Sequence, residues 1–274
     1  MAVIGGAGLG HLPQLTITYT GNWSPPIDGN VCFHLVGAGG GSCGGNNATD
    51  ISGGAGGYCK KNSVAVVTTD VFAIAVGVGG LGGYQGAGGN GGHTTIEQTT
   101  GSGLSAILTA NGGTGGHSSG GGGGGTASNG DVNNTGGAGK EIGNYGGGGG
   151  SVGIYGTGNH GGARVSTTNY GATATQCDAA GGGLAMSGYG QIVGGTRGGM
   201  AGYQATGSGQ GARNDGDDLC GGGRTYTSQS TYLFGGNGGI GGGGGGAYGA
   251  GVLNDDQCWG GNGGDGIVLI QYLP

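Results

Sequence analysis

Side chains able to do chemistry are few in this chain, and they do not gather into a reactive set. The histidines, His11, His34, His93, His117 and His160, are scattered. The cysteines, at 32, 43, 59, 177, 220 and 258, contain no C-x-x-C pair, so their spacing does not describe a zinc site. Their even number permits disulfides of open connectivity, but a chain made in a cytosol begins with buried or free thiols. The run "NDGDD", with Asp215, Asp217 and Asp218, has oxygen ligands of the kind calcium takes. It lacks the full twelve-residue ligand pattern and reads as a solvated turn. In a chain one-third glycine, G-x-G-x-x-G arises about nine times by chance, and no G-K-[ST] phosphate loop is present. No Ser/His/Asp set stands out. The expectation is a protein that is not an enzyme, with no catalytic residues, metal or cofactor.

What remains is tyrosine. Between 144 and 235, Tyr145, Tyr155, Tyr170, Tyr189, Tyr203, Tyr226 and Tyr232 lie among Ser, Thr, Asn and Gly with few charges. That composition is the chemistry of antibody paratopes, where Tyr offers broad amphipathic contact and small polar residues adapt around it. Tyr170, Tyr203, Tyr226, Tyr232 and Arg213 sit in the longer polar stretches and are the candidate receptor contacts. The alternative is that these tyrosines cover segment ends or pack on glycine faces.

Something must hold them. In "VGGLGGYQGAGGNGGH" (78–93), Val78, Leu81, Tyr84, Ala87, Asn90 and His93 share one phase of a three-residue repeat, and the other phases are glycine except at Gln85. An α-helix repeats at 3.6 and a strand at two, so neither fits. A polyproline-II helix does, with three residues per turn and no internal hydrogen bonds. Its amides must bond to neighbouring segments, which glycine on two faces allows. "NGGTGGH" (111–117), "FGGNGGIGGGGGG" (234–246) and "WGGNGGDG" (259–266) follow the same phase rule. Glycine is 88 of 274 residues, yet four prolines and no single glycine phase exclude collagen. Ordering a residue costs about 1–2 kcal/mol and a net hydrogen bond returns about 0.5–1.5, so such a bundle needs a frame.

The frame is legible as short segments rich in Val, Ile, Thr and aromatics: 15–21, 30–37, 62–67, 71–78, 93–100, 104–110 and 266–273. Within 31–36, alternation puts Val31, Phe33 and Leu35 on one face and Cys32, His34 and Val36 on the other. The expected fold is all-β with a glycine-rich polyproline-II or polyglycine-II bundle and no significant α-helix. The last strand should return to pair with the N-terminal half, clamping the glycine segments between them. The expected organisation is a docking segment over 1–14 and one glycine-rich domain over 15–274. Its β-frame would occupy 15–110 and 266–273, with glycine rods and loops over 111–265.

A net charge of −6, without a Lys/Arg cluster, argues against nucleic acid. The start "MAVIGGAGLGHLPQ" lacks a charged, apolar leader, and no apolar run is long enough to span a membrane. Val3, Ile4, Leu9 and Leu12 would lie exposed unless this segment docks on another protein.

The motifs "NWSPPIDGNVCFHLVGAGGG", "GGAGGYCKKNSVAVV", "VFAIAVGVGGLGG", "GGHTTI", "LTANGGTGG" and "GGNGGDGIVLIQY", in that order, resemble the glycine-rich domain of bacteriophage tail-fibre and related virion proteins. The resemblance covers about Thr16 to Tyr272, and its two end signatures are its specific part. A related likeness is to the polyglycine-II sandwich adhesins of T-even-like phages, whose loops contact the receptor. It implies a virion protein, made in the host cytoplasm without a signal peptide, that presents Tyr/Ser/Asn-rich loops to a host-surface protein or glycan. Its other partners would be tail or fibre proteins, or further copies of itself. The alternative is a structural virion or extracellular fibre subunit whose loops mediate self-assembly. An ice-binding bundle would want a flat Thr-like face and a secretory leader, which the mixed phase of 78–93 and this start do not offer.

Overall fold

The computed structural model describes residues 14–45, 51–84, 86–117, 120–139, 148–149, 184–186, 192–194, 202–204, 225–227, 232–249 and 257–274. These residues form an all-β structure without a helix, built on two antiparallel sheets. In chain order the strands are β1 (Gln14–Ile17), β2 (Gly21–Trp23), β3 (Gly29–Val36), β4 (Gly44–Gly45), β5 (Tyr58–Val66), β6 (Val71–Ala75), β7 (Thr94–Thr100), β8 (Leu108–Ala110) and β9 (Ala127–Ser128). There follow β10 (Val132–Asn134), β11 (Leu184–Met186), β12 (Ile192–Gly194), β13 (Gly202–Gln204), β14 (Thr225–Thr227), β15 (Tyr232–Phe234), β16 (Ala247–Gly249), β17 (Gln257–Trp259) and β18 (Ile267–Tyr272).

One sheet has the order β1-β18-β3-β5-β10 and the other β2-β6-β7-β8-β9. The last strand does return: Val268 pairs with Leu35 and with Ile17 on its other side. Alternation puts Val31, Phe33, Leu35, Val268 and Ile270 of the first sheet into one core with Phe72, Ile74, Ile96 and Leu108 of the second. Trp23, Phe33 and Phe72 meet there with ring centroids 5.3–6.0 Å apart. Cys32, His34 and Val36 point to the opposite face of β3 and are buried as well.

Three stretches depart from the sequence reading. Segment 15–21 is not one strand but splits into β1 and β2, which join different sheets. Only Leu108–Ala110 of 104–110 is strand, because the chain turns first at Gly101, whose φ of 108° a side chain would resist. Gln98 Oε1 then accepts from the Leu104 N–H at 2.6 Å and holds that turn. Residues 127–134, within the stretch expected to hold only glycine rods and loops, instead add β9 to one sheet and β10 to the other. The Lys61–Asp131 ion pair, at 2.7 Å, fastens that edge, and the bonds from Lys61 and the Asn62 N–H hold the Asp131 carboxyl below its usual range.

The glycine segments leave the frame from one end and are not enclosed between its strands. Segment 37–57 connects Val36 of β3 to Tyr58 of β5, which are paired. Segment 76–93 connects β6 to β7, and 111–126 connects β8 to β9. At this root the buried Thr94 hydroxyl donates to the Val36 carbonyl (2.7 Å) and accepts from the Gly77 N–H (3.1 Å), linking the two sheets.

Beyond the root, hydrogen bonds between segments recur at every third residue. Gly37, Gly40 and Cys43 donate to Gly57, Gly54 and Ile51 at 2.8–2.9 Å. The same inner segment bonds Gly264, Gly89 and Gly261 through the N–H groups of Gly39, Gly41 and Ser42, while Gly80, Gly113, Gly116 and Gly244 donate to its carbonyls. Glycine is required here by backbone contact. A Cβ on Gly40 would run into the Thr114 carbonyl, and one on Gly41 into that of Leu81.

Candidate functional site

Asn, Asp, His and Thr at the phased positions have a local task that follows from this packing. Asp265 Oδ1 and Asn262 Oδ1 accept from the N–H groups of Gly79 and Gly82, each at 2.7 Å. Asn90 Oδ1 accepts from Gly115 (2.8 Å), His93 Nδ1 from Gly112 (3.2 Å) and Thr114 Oγ1 from Gly123 (2.7 Å). Each such side chain satisfies an amide on the next segment, so the third face is less free than its spacing implied. Four of the apolar or aromatic phased residues stay outward: Val78 and Leu81 are 72% and 71% exposed, Tyr84 and Trp259 41% and 38%.

The ends of these segments away from the sandwich carry the aromatic residues. Segment 37–43 runs from β3 out to β4, and 260–266 runs from β17 back to β18. The short strands β4, β15, β16 and β17 therefore lie one glycine segment away from the frame. In one parallel sheet, of order β13-β14-β16-β4, Tyr203, Tyr226 and Tyr248 are consecutive register partners, followed by Gly45. In the other, β15 pairs β17 so that Phe234 is opposite Trp259, and Tyr84 bridges Trp259 from the far side. The Tyr84 and Trp259 rings lie 4.6 Å apart at 30°.

Of the residues singled out from the sequence, Tyr203 and Tyr226 are thus direct neighbours, and Tyr232 lies on β15 two residues before Phe234. Tyr170, Arg213 and the N-terminal Val3, Ile4, Leu9 and Leu12 lie outside the described residues, as do Asp215, Asp217 and Asp218. Sequence reasoning missed Tyr84, Phe234, Tyr248 and Trp259. The signal was present for three of them, since Tyr84, Phe234 and Trp259 each occupy the phased position of a glycine run.

A second polar cluster is buried on the face of β3 opposite Val31, Phe33 and Leu35. His34 Nδ1 is 2.6 Å from the Tyr58 hydroxyl, and His34 Nε2 is 3.3 Å from Cys32 Sγ. In either neutral tautomer one ring nitrogen donates and the other accepts, so both contacts are satisfied together. Burial pushes the Cys32 thiol up and the Tyr58 hydroxyl far up, while burial and then the nearby Lys60 charge push His34 down to about 4. Near neutral pH all three are uncharged, a hydrogen-bonded chain instead of a thiolate–imidazolium pair. Cys32 and His34, two apart on a strand, share a face, which was legible; Tyr58 as their partner was not. Cys43 and Cys59 are buried, and burial raises the Cys59 thiol to about 11. Among the described residues no group of three His, Cys, Asp or Glu is placed to hold a metal.

Compared with protein-family models and with curated protein sequences, the chain matches none.

Proposed function

We propose that this chain is a phage virion protein of the tail-fibre or receptor-binding kind. In this reading the glycine segments form a polyglycine-II bundle, rooted in the β-sandwich, that carries an aromatic end to a bacterial surface. Hydrogen bonding at every third residue and glycine backbones packed against carbonyls support the bundle. The observation that carries the function is the far end itself, where Phe234, Trp259 and Tyr84 form one row and Tyr203, Tyr226 and Tyr248 another. Binding energy concentrates in aromatic anchors, and a rigid stem that lifts such anchors away from its root suits a recognition device.

The test is adsorption. Purified protein should bind cells of the host strain and compete with the phage for attachment, and antibodies against it should label the distal tail. Failure of the protein to bind or compete, with label absent from particles, overturns the reading. A second reading, lateral self-assembly of a structural subunit, is favoured by the exposed Val78 and Leu81. It predicts concentration-dependent association in sedimentation that Leu81→Glu abolishes.

A further inference from the structure

We propose that the outer face made by segments 234–240, 259–265 and 78–84 binds a neutral saccharide chain, with the stacked Trp259–Tyr84 pair as its aromatic contact. This rests on the receptor-binding reading and names the chemistry of the receptor.

The three segments lie side by side. Gly235 and Gly238 donate to the carbonyls of Trp259 and Asn262, and Gly260 and Gly263 donate to those of Gly83 and Gly80. Their phased residues therefore align across the face: Phe234, Trp259 and Tyr84 in one row, Asn237, Asn262 and Leu81 in the next, and Ile240, Asp265 and Val78 nearest the frame. Glycine fills the positions between rows, so nothing rises between them and a ligand can approach the backbone.

The chemistry of the rows selects the ligand. Trp259 and Tyr84 stack on each other, so each ring keeps one face for the slightly positive C–H groups on one side of a sugar ring. Beside them, Asn262 has its carbonyl oxygen committed to the Gly82 N–H, so it offers a ligand its amide hydrogens. A polyol supplies acceptors for those hydrogens and hydroxyl donors for the exposed Asp265 carboxylate. No Lys or Arg occurs on the three segments, so an anionic ligand would meet one carboxylate and no cation.

Size argues against a protein. Neighbours about 4.8 Å apart across the face and rows about 9 Å apart along it give on the order of 200 Å². A standard protein interface needs about 800 Å² per partner.

The experiment uses the full chain with Trp23→Phe, which leaves Trp259 as the reporting indole. It is titrated with neutral glucose-, galactose- and mannose-based oligosaccharides and, separately, mixed with host cells. Expected are a saturable change in Trp259 fluorescence with at least one neutral oligosaccharide, and cell binding that survives protease but not periodate. Tyr84→Ala, and Trp259→Ala read by calorimetry, should weaken oligosaccharide binding at least ten-fold with an unchanged circular dichroism spectrum. Trp259→Phe, which keeps a ring, should fall between. Cell binding lost to protease and kept after periodate overturns the saccharide and leaves the receptor reading standing. Unchanged binding in both alanine variants overturns the site. Association between copies that Leu81→Glu abolishes makes the face a self-assembly surface and overturns it too. If no cells bind, the receptor reading falls, and the absence of any oligosaccharide response then overturns the inference independently.

Discussion

At His34 the environment decides the charge. Burial comes first, with Lys60 adding to it, and together they lower the imidazole from 6.5 to about 4. The folded value lies below the unfolded one, so on acidification the unfolded chain takes up this proton first. The stability tied to His34 is therefore complete above about pH 6.5 and drains away as pH falls toward 4, by roughly 3 kcal/mol at about 1.4 kcal/mol per unit. Urea midpoints measured between pH 7.5 and 4 should show this slope, and it should be smaller by that amount in a His34→Gln protein. An identical slope in both proteins would mean that His34 is already protonated or exposed. Cys32 and His34 could be placed on one strand face from alternation alone. The value of about 4 could not, because the burial comes from the whole fold and Lys60 comes from β5.

At the scale of one glycine segment, the relevant distinction is between glycines packed on backbone and glycines on open faces. A Cβ on Gly40 would collide with the carbonyl of Thr114, which cannot rotate away, whereas one on Gly123 meets only Thr114 Oγ1 at an ordinary 3.6 Å. Gly40→Ala should cost more than about 3 kcal/mol or prevent folding, as overpacking with backbone shifts does. Gly123→Ala should be neutral or stabilising by about 0.4–1 kcal/mol, since Ala narrows the unfolded ensemble. Thermal melts of the two proteins decide it, and equal effects would mean that the segments do not pack this closely. The sequence marks both positions as glycine in the same way, and only the neighbour in space separates them. The frame strands were easier to read, since β6 alternates partly buried and buried residues as its sequence does. The three-residue strands β13, β14 and β16 have too little pattern to be seen, and they are where the tyrosine row forms.

Across the whole molecule, the glycine segments depend on the sandwich at their root, because hydrogen bonds alone barely offset the ordering of so many glycines. The two tryptophans report on the two parts: Trp23 packs on Phe33 and Phe72 in the sandwich, and Trp259 stacks on Tyr84 at the far end. In Trp259→Phe and Trp23→Phe proteins the remaining fluorophores should give coincident denaturant transitions, and Leu35→Ala in the core should shift both midpoints together. Separate transitions would mean that the bundle stands alone. By itself the sequence determined what depends on near neighbours along the chain. That includes the period of three, the glycine on two faces of each run, the alternation of the frame strands and the return of the last one. Tertiary structure alone decided which segment lies beside which, and with it the tasks of individual side chains. Gly79 meets Asp265, and Tyr203, Tyr226 and Tyr248 form one row, because the frame brings together segments far apart in the chain. A three-residue repeat is satisfied within its own run, whereas a hydrogen-bond partner on a bare glycine backbone is chosen only by what packs next to it.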